Sequence, residues 1–111
     1  MRRIFSIIIS ASTLLFSHFV HAEAGWTDFV NAGELVPTSR NYYEVKLLVK
    51  ENPSGCSDKH WFYQDYDSPG SDNMFKTLLE GIKSGIRVRV YVTGRCNIKG
   101  YSEISSVSIA P

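Results

Sequence analysis

Hydrophobic and polar residues alternate most regularly in residues 86–93 (IRVRVYVT). Alternation with a period of two is typical of a β-strand that has one face in the core and one face outside it. The inner face would carry Ile86, Val88, Val90 and Val92. The outer face would carry Arg87, Arg89, Tyr91 and Thr93. The two arginines and the tyrosine are candidate contacts for an anionic sugar or a partner protein, and a plain solvated face is the alternative.

Three other stretches have weaker strand patterns. Residues 43–50 (YEVKLLVK) alternate, and a shorter run at residues 33–36 precedes them, separated by the turn-like sequence PTSRN. Residues 103–110 alternate out of strict register, which predicts a bulged strand. The inner face of the first of these stretches would carry Tyr43, Val45, Leu47 and Val49.

A dense aromatic run, residues 61–64 (WFYQ), follows the punctuating sequence NPSG and predicts a further strand. Alternation sends Phe62 to one face and Trp61 with Tyr63 to the other, and four residues do not decide which face is inside. The outward rings are candidates to stack on a sugar or on a neighbouring protomer. Trp61 and Tyr63 are therefore candidate binding residues.

The hydrophobic period lengthens to that of a helix after the sequence DSPGSD. A side chain from Ser71 or Asp72 would cap the first turn of this helix, and Gly85 would end it. The apolar stripe of such a helix is more typical of a core contact than of a cofactor pocket. The stripe consists of Met74, Phe75, Leu78, Leu79 and Ile82.

Residues 1–22 have the composition of a secretory signal peptide. Arg2 and Arg3 supply the positive charge, an apolar stretch follows, and the sequence VHA fits cleavage after Ala22. The apolar part is shorter than the ~20 residues that cross a bilayer, so we expect removal of the leader and no membrane span in the exported protein. Residues 23–111 would then form a single secreted or periplasmic domain.

Charge excludes one class of partner. Of the twelve basic residues two lie in the leader, so residues 23–111 carry ten basic and eleven acidic residues. No basic excess remains to hold a nucleic-acid backbone. We also expect no enzyme, because no carboxylate pair, catalytic triad or phosphate loop stands out. His60 is the one histidine after the leader, so no catalytic residue, metal ligand or cofactor is predicted.

The chain has two cysteines, Cys56 and Cys96. In an exported protein they most economically form a disulfide, which would close a loop of about 40 residues and contribute ~4 kcal/mol in the chain-entropy model. The alternative is a reactive or metal-binding thiol, which needs a base or further ligands nearby. We therefore predict a structural disulfide.

The order of these elements indicates a fold. Three strands, a helix and two strands in one small domain match the order of an OB-fold barrel. The predicted fold class is therefore mainly β with one helix. More specifically, we expect a five-stranded OB-fold barrel over residues 23–111, with the helix between strands 3 and 4 and one disulfide.

Residues 43–110 resemble the small exported OB-fold proteins related to the B subunits of subtilase cytotoxin and typhoid toxin. The resemblance lies in GCSDKHWFYQDYDSP, in the second cysteine, and in a string matched by Leu78-Leu79, Ser84-Gly85 and Val88-Arg89-Val90-Tyr91. It implies a secreted, glycan-binding subunit that recognises a host glycan, forms a homo-pentamer and carries an enzymatic toxin A subunit. No sugar-binding residue carries over, because the serine-centred site of that family is not visible in residues 27–41. The alternative is a monomeric periplasmic or secreted module that binds another protein.

Overall fold

A computed structural model describes residues 22–111 of the chain. These residues form six strands and one helix, which confirms the expectation of a mainly β chain with one helix. In chain order the elements are β1 (Gly25–Trp26), β2 (Ala32–Pro37), β3 (Tyr42–Leu47), β4 (Trp61–Asp65), α1 (Ser71–Ser84), β5 (Arg87–Cys96) and β6 (Ser102–Ala110).

The prediction of a five-stranded OB-fold barrel is wrong in two respects. The described residues form six strands in one mixed sheet, and that sheet is not a closed barrel. The additional strand is β1, which has too few residues to give an alternating pattern in the sequence. It forms because Gly25 and Trp26 pair with Val92 and Tyr91 of β5. The helix consequently follows the fourth strand of the sheet and not the third.

The sheet is strongly curved. Its strand order is β1-β5-β6-β4-β3-β2, with β4 and β6 parallel and the other neighbours antiparallel. Val30 bridges to Val88 of β5, and Ala32 opens β2 two residues later, so the start of β2 lies within about 7 Å of a residue paired with β5. In a flat sheet of this order β2 would lie about 24 Å from that position. Curvature therefore brings the two edges of the sheet towards each other.

The core lies on the inner face of this sheet, where the alternating patterns of β3 and β5 place their aliphatic residues. Phe62 of β4 is also fully buried, so Trp61 and Tyr63 face outward, which settles the orientation that alternation alone left open. The fully or almost fully buried apolar residues are Tyr43, Val45, Leu47, Val49, Phe62, Leu78, Val88, Val90, Val92 and Ile104.

Helix α1 packs against β2, β5 and β6. It begins after Gly70 with no side-chain cap, so the predicted cap by Ser71 or Asp72 is wrong, and the Ser71 hydroxyl is buried without a hydrogen-bond partner among the described residues. It ends as predicted at Gly85, whose φ is 68°. Gly81 lies on the face of the helix that packs against β5, where a Cβ would come 2.6 Å from Cγ1 of Val88. A glycine at this position therefore allows the close approach of the two elements.

The predicted disulfide is confirmed, with an S–S distance of 2.06 Å between Cys56 and Cys96. It joins the segment before β4 to the last residue of β5. The predicted bulge of the last strand is also confirmed, since the β5–β6 register shifts where Tyr91 pairs with Ser106 and Val92 with Ile104.

The predicted leader falls on residues 1–21, outside the described part of the chain, so cleavage after Ala22 stays a prediction. Within residues 22–111, no helix combines the length and the apolar character needed to cross a membrane.

Candidate ligand-binding groove

A groove of about 390 Å³ lies on the outer face of the sheet, over β3 and β4. The turn between β2 and β3, residues 38–41, contributes one wall. The loop between β5 and β6, residues 97–101, contributes the other. The lining residues are Arg40, Tyr42, Tyr63, Asp65, Asn97, Ile98 and Lys99.

The floor of the groove follows from the pairing of β3 with β4. Tyr42 lies opposite Asp65, and Glu44 lies opposite Tyr63. Paired residues of neighbouring strands point to the same face, and the residue between Tyr42 and Glu44, Tyr43, is in the core. The floor is therefore a row of aromatic and charged side chains on the outer face.

Lys99 crosses this floor. Its Nζ lies 2.8 Å from Oε2 of Glu44, 5.9 Å from the centre of the Tyr42 ring and 5.3 Å from that of Tyr101. The hydrogen bond to Glu44 raises the pKa of Lys99, so the ammonium is charged throughout the physiological range. Between two rings and a carboxylate, the Lys99 side chain is held in one place.

The loop that carries Lys99 is built as a tight turn. The side-chain Oδ1 of Asn97 accepts hydrogen bonds from the backbone N–H of Lys99 and Tyr101, each at 3.0 Å. The carbonyl of Gly100 accepts another from the N–H of Asp58 at 3.0 Å, and the disulfide fixes the adjacent residue Cys96. Such a loop presents its side chains to a ligand with little ordering cost. Ile98, at its tip, is fully exposed, with 103% of its reference area.

Tyr63 is the hydroxyl-bearing ring of the β4 floor. Partial burial raises the pKa of the Tyr63 phenol, and the negative charges of Glu103 and Asp65 raise it further. The phenol is therefore neutral at physiological pH and offers both a hydrogen-bond donor and an acceptor.

A second aromatic pair extends the floor along β4. The rings of Trp61 and Tyr101 stack with centres 5.5 Å apart and planes inclined by 16°. Trp61 shares the outer face with Tyr63, two positions along the same strand. The surface therefore offers several ring faces side by side.

The structure separates the residues that the sequence singled out into two groups. Tyr63 lines the groove and Trp61 lies beside it on the same face of β4, whereas Arg87, Arg89 and Tyr91 lie on the outer face of β5. Tyr63 pairs with Glu103 of β6, and Arg89 pairs with Ser108, five residues further along that strand. At the rise of a β-strand this corresponds to about 17 Å, so the two groups do not form one site.

Sequence reasoning missed most of the groove. Tyr42 is the first outward-facing residue of β3. Extending the predicted stretch, residues 43–50, by one residue towards the N-terminus would have included it. Ile98 is an apolar residue within the turn-forming sequence NIKG, which is a weak signal for a contact residue. Lys99 and Tyr101 give no signal in the sequence, because only the pairing of β6 with β4 brings them to this face.

Metal coordination has no support in the described residues. No group of three or more histidine, cysteine, aspartate or glutamate side chains within residues 22–111 is arranged to hold an ion. No protein-family model and no curated protein matches the chain.

Proposed function

We propose that the chain is a secreted, non-enzymatic binding module whose groove over β3 and β4 holds a glycan. One observation carries the proposal: ring faces and fixed polar groups line the same open groove. A sugar ring offers an apolar C–H face to an aromatic ring and hydroxyl groups at its edge. Tyr63 offers a ring face and a phenol, and Asn97 and Asp65 offer further hydrogen-bonding groups.

The strand order supports an OB-type arrangement. If β1 and β2 are the two halves of one interrupted first strand, β3 and β4 are the second and third strands of that fold. OB-folds bind oligonucleotides and oligosaccharides on these two strands, between the loops that join strands 1 to 2 and 4 to 5. The groove has the corresponding boundaries, residues 38–41 and residues 97–101.

Charge favours an oligosaccharide over an oligonucleotide. Residues 23–111 carry one more acidic than basic residue, and Asp65 and Glu44 lie within the floor. Lys99 is already paired with Glu44. A phosphate backbone needs a track of unpaired basic side chains, which this floor does not offer.

The ionic contacts also favour binding over catalysis. The most buried carboxylate of the floor, Glu44, is 7% exposed and is committed to Lys99. A general acid or base needs to exchange its proton with the substrate, so a carboxylate held in an ion pair is poorly suited to that role. The groove offers rigid surfaces and hydrogen-bonding groups, which suit recognition.

The family resemblance predicts that the chain forms a homo-pentamer, which carries a toxin A subunit. The oxidised protein without its predicted leader should then have five times the monomer mass. Light scattering behind a sizing column measures this mass. A monomer would favour the alternative of a single-copy interaction module in the periplasm or outside the cell.

A glycan array tests the proposed ligand class. The protein without its predicted leader is compared with two variants. Tyr63→Ala removes a ring from the groove, and Tyr91→Ala is the matched control, because it removes an outward tyrosine from β5. We expect the wild type and Tyr91→Ala to bind the same glycans equally strongly. Tyr63→Ala should bind them about tenfold more weakly, because it loses one stacked ring.

Ile98→Ser provides a second variant, because Ile98 is fully exposed and its loss does not endanger the fold. The proposal would be contradicted if the wild type bound no glycan on the array. It would also be contradicted if the wild type, Tyr63→Ala and Ile98→Ser bound the glycans equally strongly.

A further inference from the structure

A second cluster of aromatic and charged side chains lies on the outer face of β5 and the chain beside it. We name it the arginine patch; its members are Trp26, Phe29, Arg87, Arg89 and Tyr91. The guanidinium carbon of Arg89 lies 4.3 Å from the centre of the Trp26 ring and 4.8 Å from that of Phe29. The Trp26 ring meets the Tyr91 ring edge to face at 5.4 Å. Three rings and one cation therefore form a single packed unit.

The fold holds this unit firmly. Trp26 pairs with Tyr91 across β1 and β5, and the Thr27 hydroxyl accepts a hydrogen bond from the N–H of Val90 at 3.1 Å. The facing positions on β6 are occupied by small residues, since Tyr91 pairs with Ser106 and Arg89 with Ser108. The patch therefore has no large neighbour on its β6 side, and Trp26 is 39% exposed.

Arg89 has unused hydrogen-bonding capacity. The ion pairs of the described residues are Lys76–Asp72 and Lys99–Glu44, so no carboxylate of residues 22–111 pairs with Arg89. Its Nε is buried and has no hydrogen-bond partner among these residues. Contacts with ring faces stabilise the cation but leave the in-plane N–H groups free. Because Nε is buried, the edge that would meet an incoming carboxylate is the one formed by the two Nη nitrogens, and such an edge fits a carboxylate through two parallel hydrogen bonds.

The acidic residue nearest to the patch in the sequence does not serve it. The carboxylate of Asp28 accepts hydrogen bonds from the backbone N–H of Lys50 at 3.0 Å and of Glu51 at 2.9 Å. Arg87, the second cation, donates to the main-chain oxygen of Pro111 at 3.4 Å and lies 5.8 Å from the Phe29 ring. The patch is therefore positively charged, with an exposed aromatic surface beside the charge.

We propose that the arginine patch is a docking site for an acidic polypeptide segment, which places an aspartate or glutamate carboxylate on Arg89 and an apolar side chain on Trp26. Aromatic residues and arginine side by side are typical of the energetically dominant centre of protein interfaces. A polypeptide matches the combination of one strong carboxylate position with an apolar contact. A nucleic acid or sulfated polymer would need more than two cations in a chain with formal charge −1 over residues 23–111.

The fluorescence of Trp26 reports binding at the arginine patch. The chain has two tryptophans, Trp26 in this patch and Trp61 beside the groove. In the Trp61→Phe background, emission from residues 22–111 reports on the arginine patch alone. The probes are synthetic peptides in which glutamate alternates with leucine, the same peptides with lysine in place of glutamate, and heparin as a sulfated polyanion. We expect a saturable change in emission with the glutamate–leucine peptide, no change with its lysine counterpart, and weakening by salt.

Arg89→Gln should weaken binding of the glutamate–leucine peptide at least tenfold, and Arg89→Lys should give an intermediate loss because it keeps the charge without the planar edge. Lys83→Gln, an exposed lysine on α1, is the matched control and should bind as the parent does. If Arg89→Gln does not fold, Arg89→Lys and Trp26→Leu supply the comparison. Equal binding by these variants and the parent would overturn the proposal, as would tighter binding of heparin than of the peptide. Failure of this test leaves the glycan proposal standing, because Tyr63 belongs to the other group.

Discussion

The ammonium of Lys99 lies 2.8 Å from the carboxylate of Glu44, a residue 55 positions earlier in the chain. Glu44 alternates correctly with the buried residues of β3 and stands on its outer face, yet it is 7% exposed. Lys99 both covers this carboxylate and supplies its one hydrogen-bond partner among the described residues. The ion pair thus fixes the 97–101 loop over β3 and defines one wall of the groove.

The first prediction concerns the pH dependence of this pair. Because Glu44 raises the pKa of Lys99 above its ordinary value of 10.5, the paired ammonium stabilises the fold fully below pH 10.5. This contribution is lost as the pH rises through the raised pKa. Urea unfolding of the wild type and Lys99→Gln should give a constant difference in free energy between pH 7 and pH 10, and a smaller one above pH 10.5. A difference that already falls between pH 7 and pH 9 would contradict this assignment, and Lys83→Gln should show no difference at any of these pH values.

The second prediction concerns the disulfide, which closes a loop with a sequence separation of 40. In the chain-entropy model its removal costs ~4 kcal/mol, a large share of the stability of a small domain. Cys56→Ser/Cys96→Ser should lower the free energy of unfolding by about this amount. Addition of a thiol reductant should destabilise the wild type and leave the double variant unchanged. Equal stability of the oxidised wild type and the double variant would show that the bond is dispensable.

The third prediction tests the close approach of α1 to β5. Gly81→Ala would improve helix propensity by about 1 kcal/mol, but its Cβ would come 2.6 Å from Cγ1 of Val88. Overpacking of this kind costs ~1–3 kcal/mol, so we expect a net loss of about 1 kcal/mol. Gly81→Ala/Val88→Ala should lose less than the sum of the two single variants, because the added methyl group then fills part of the space left by Val88. Additive losses would contradict the contact.

The fourth prediction concerns Asp28, which holds the segment after β3. Desolvation raises the pKa of Asp28, but hydrogen bonds from the N–H of Glu51 and Lys50 together outweigh it, and the net pKa is lowered. Asp28→Ala should cost about 1 kcal/mol at neutral pH. Since the folded-state pKa is the lower one, the difference should be present above pH 3.8 and disappear as the pH falls through the folded-state pKa. If Asp28→Ala and the wild type had the same free energy of unfolding at pH 7, this role of Asp28 would be contradicted.

Local patterns in the sequence predicted the elements whose two faces differ. The inner residues Val88, Val90 and Val92 alternate with polar ones, and all three are fully buried. The helix end at Gly85 was predictable from a glycine after an apolar stripe, and the disulfide from a pair of cysteines in a chain predicted to be exported. The first strand of the sheet was not, because its two residues acquire strand geometry only by pairing with β5.

The groove was predictable only in part. Trp61 and Tyr63 stood out because they sit in an aromatic run on a strand. Lys99 and Ile98 lie in a loop, and their approach to β3 depends on the parallel pairing of β6 with β4, which no local pattern encodes. For the same reason, the separation of Arg89 from Tyr63 could not be read from two outward-facing strands.

Glycan binding in the groove over β3 and β4 is tested most directly by locating a bound glycan on the protein. Backbone amide shifts of nitrogen-15-labelled residues 23–111 are measured by NMR during titration with the glycan that binds the protein most strongly on the array. If the groove binds the glycan, saturable shifts should cluster at Arg40, Tyr63, Ile98 and Lys99 and spare Trp26 and Arg89. Shifts centred on the arginine patch, or no saturable shift with any glycan of the array, would contradict it.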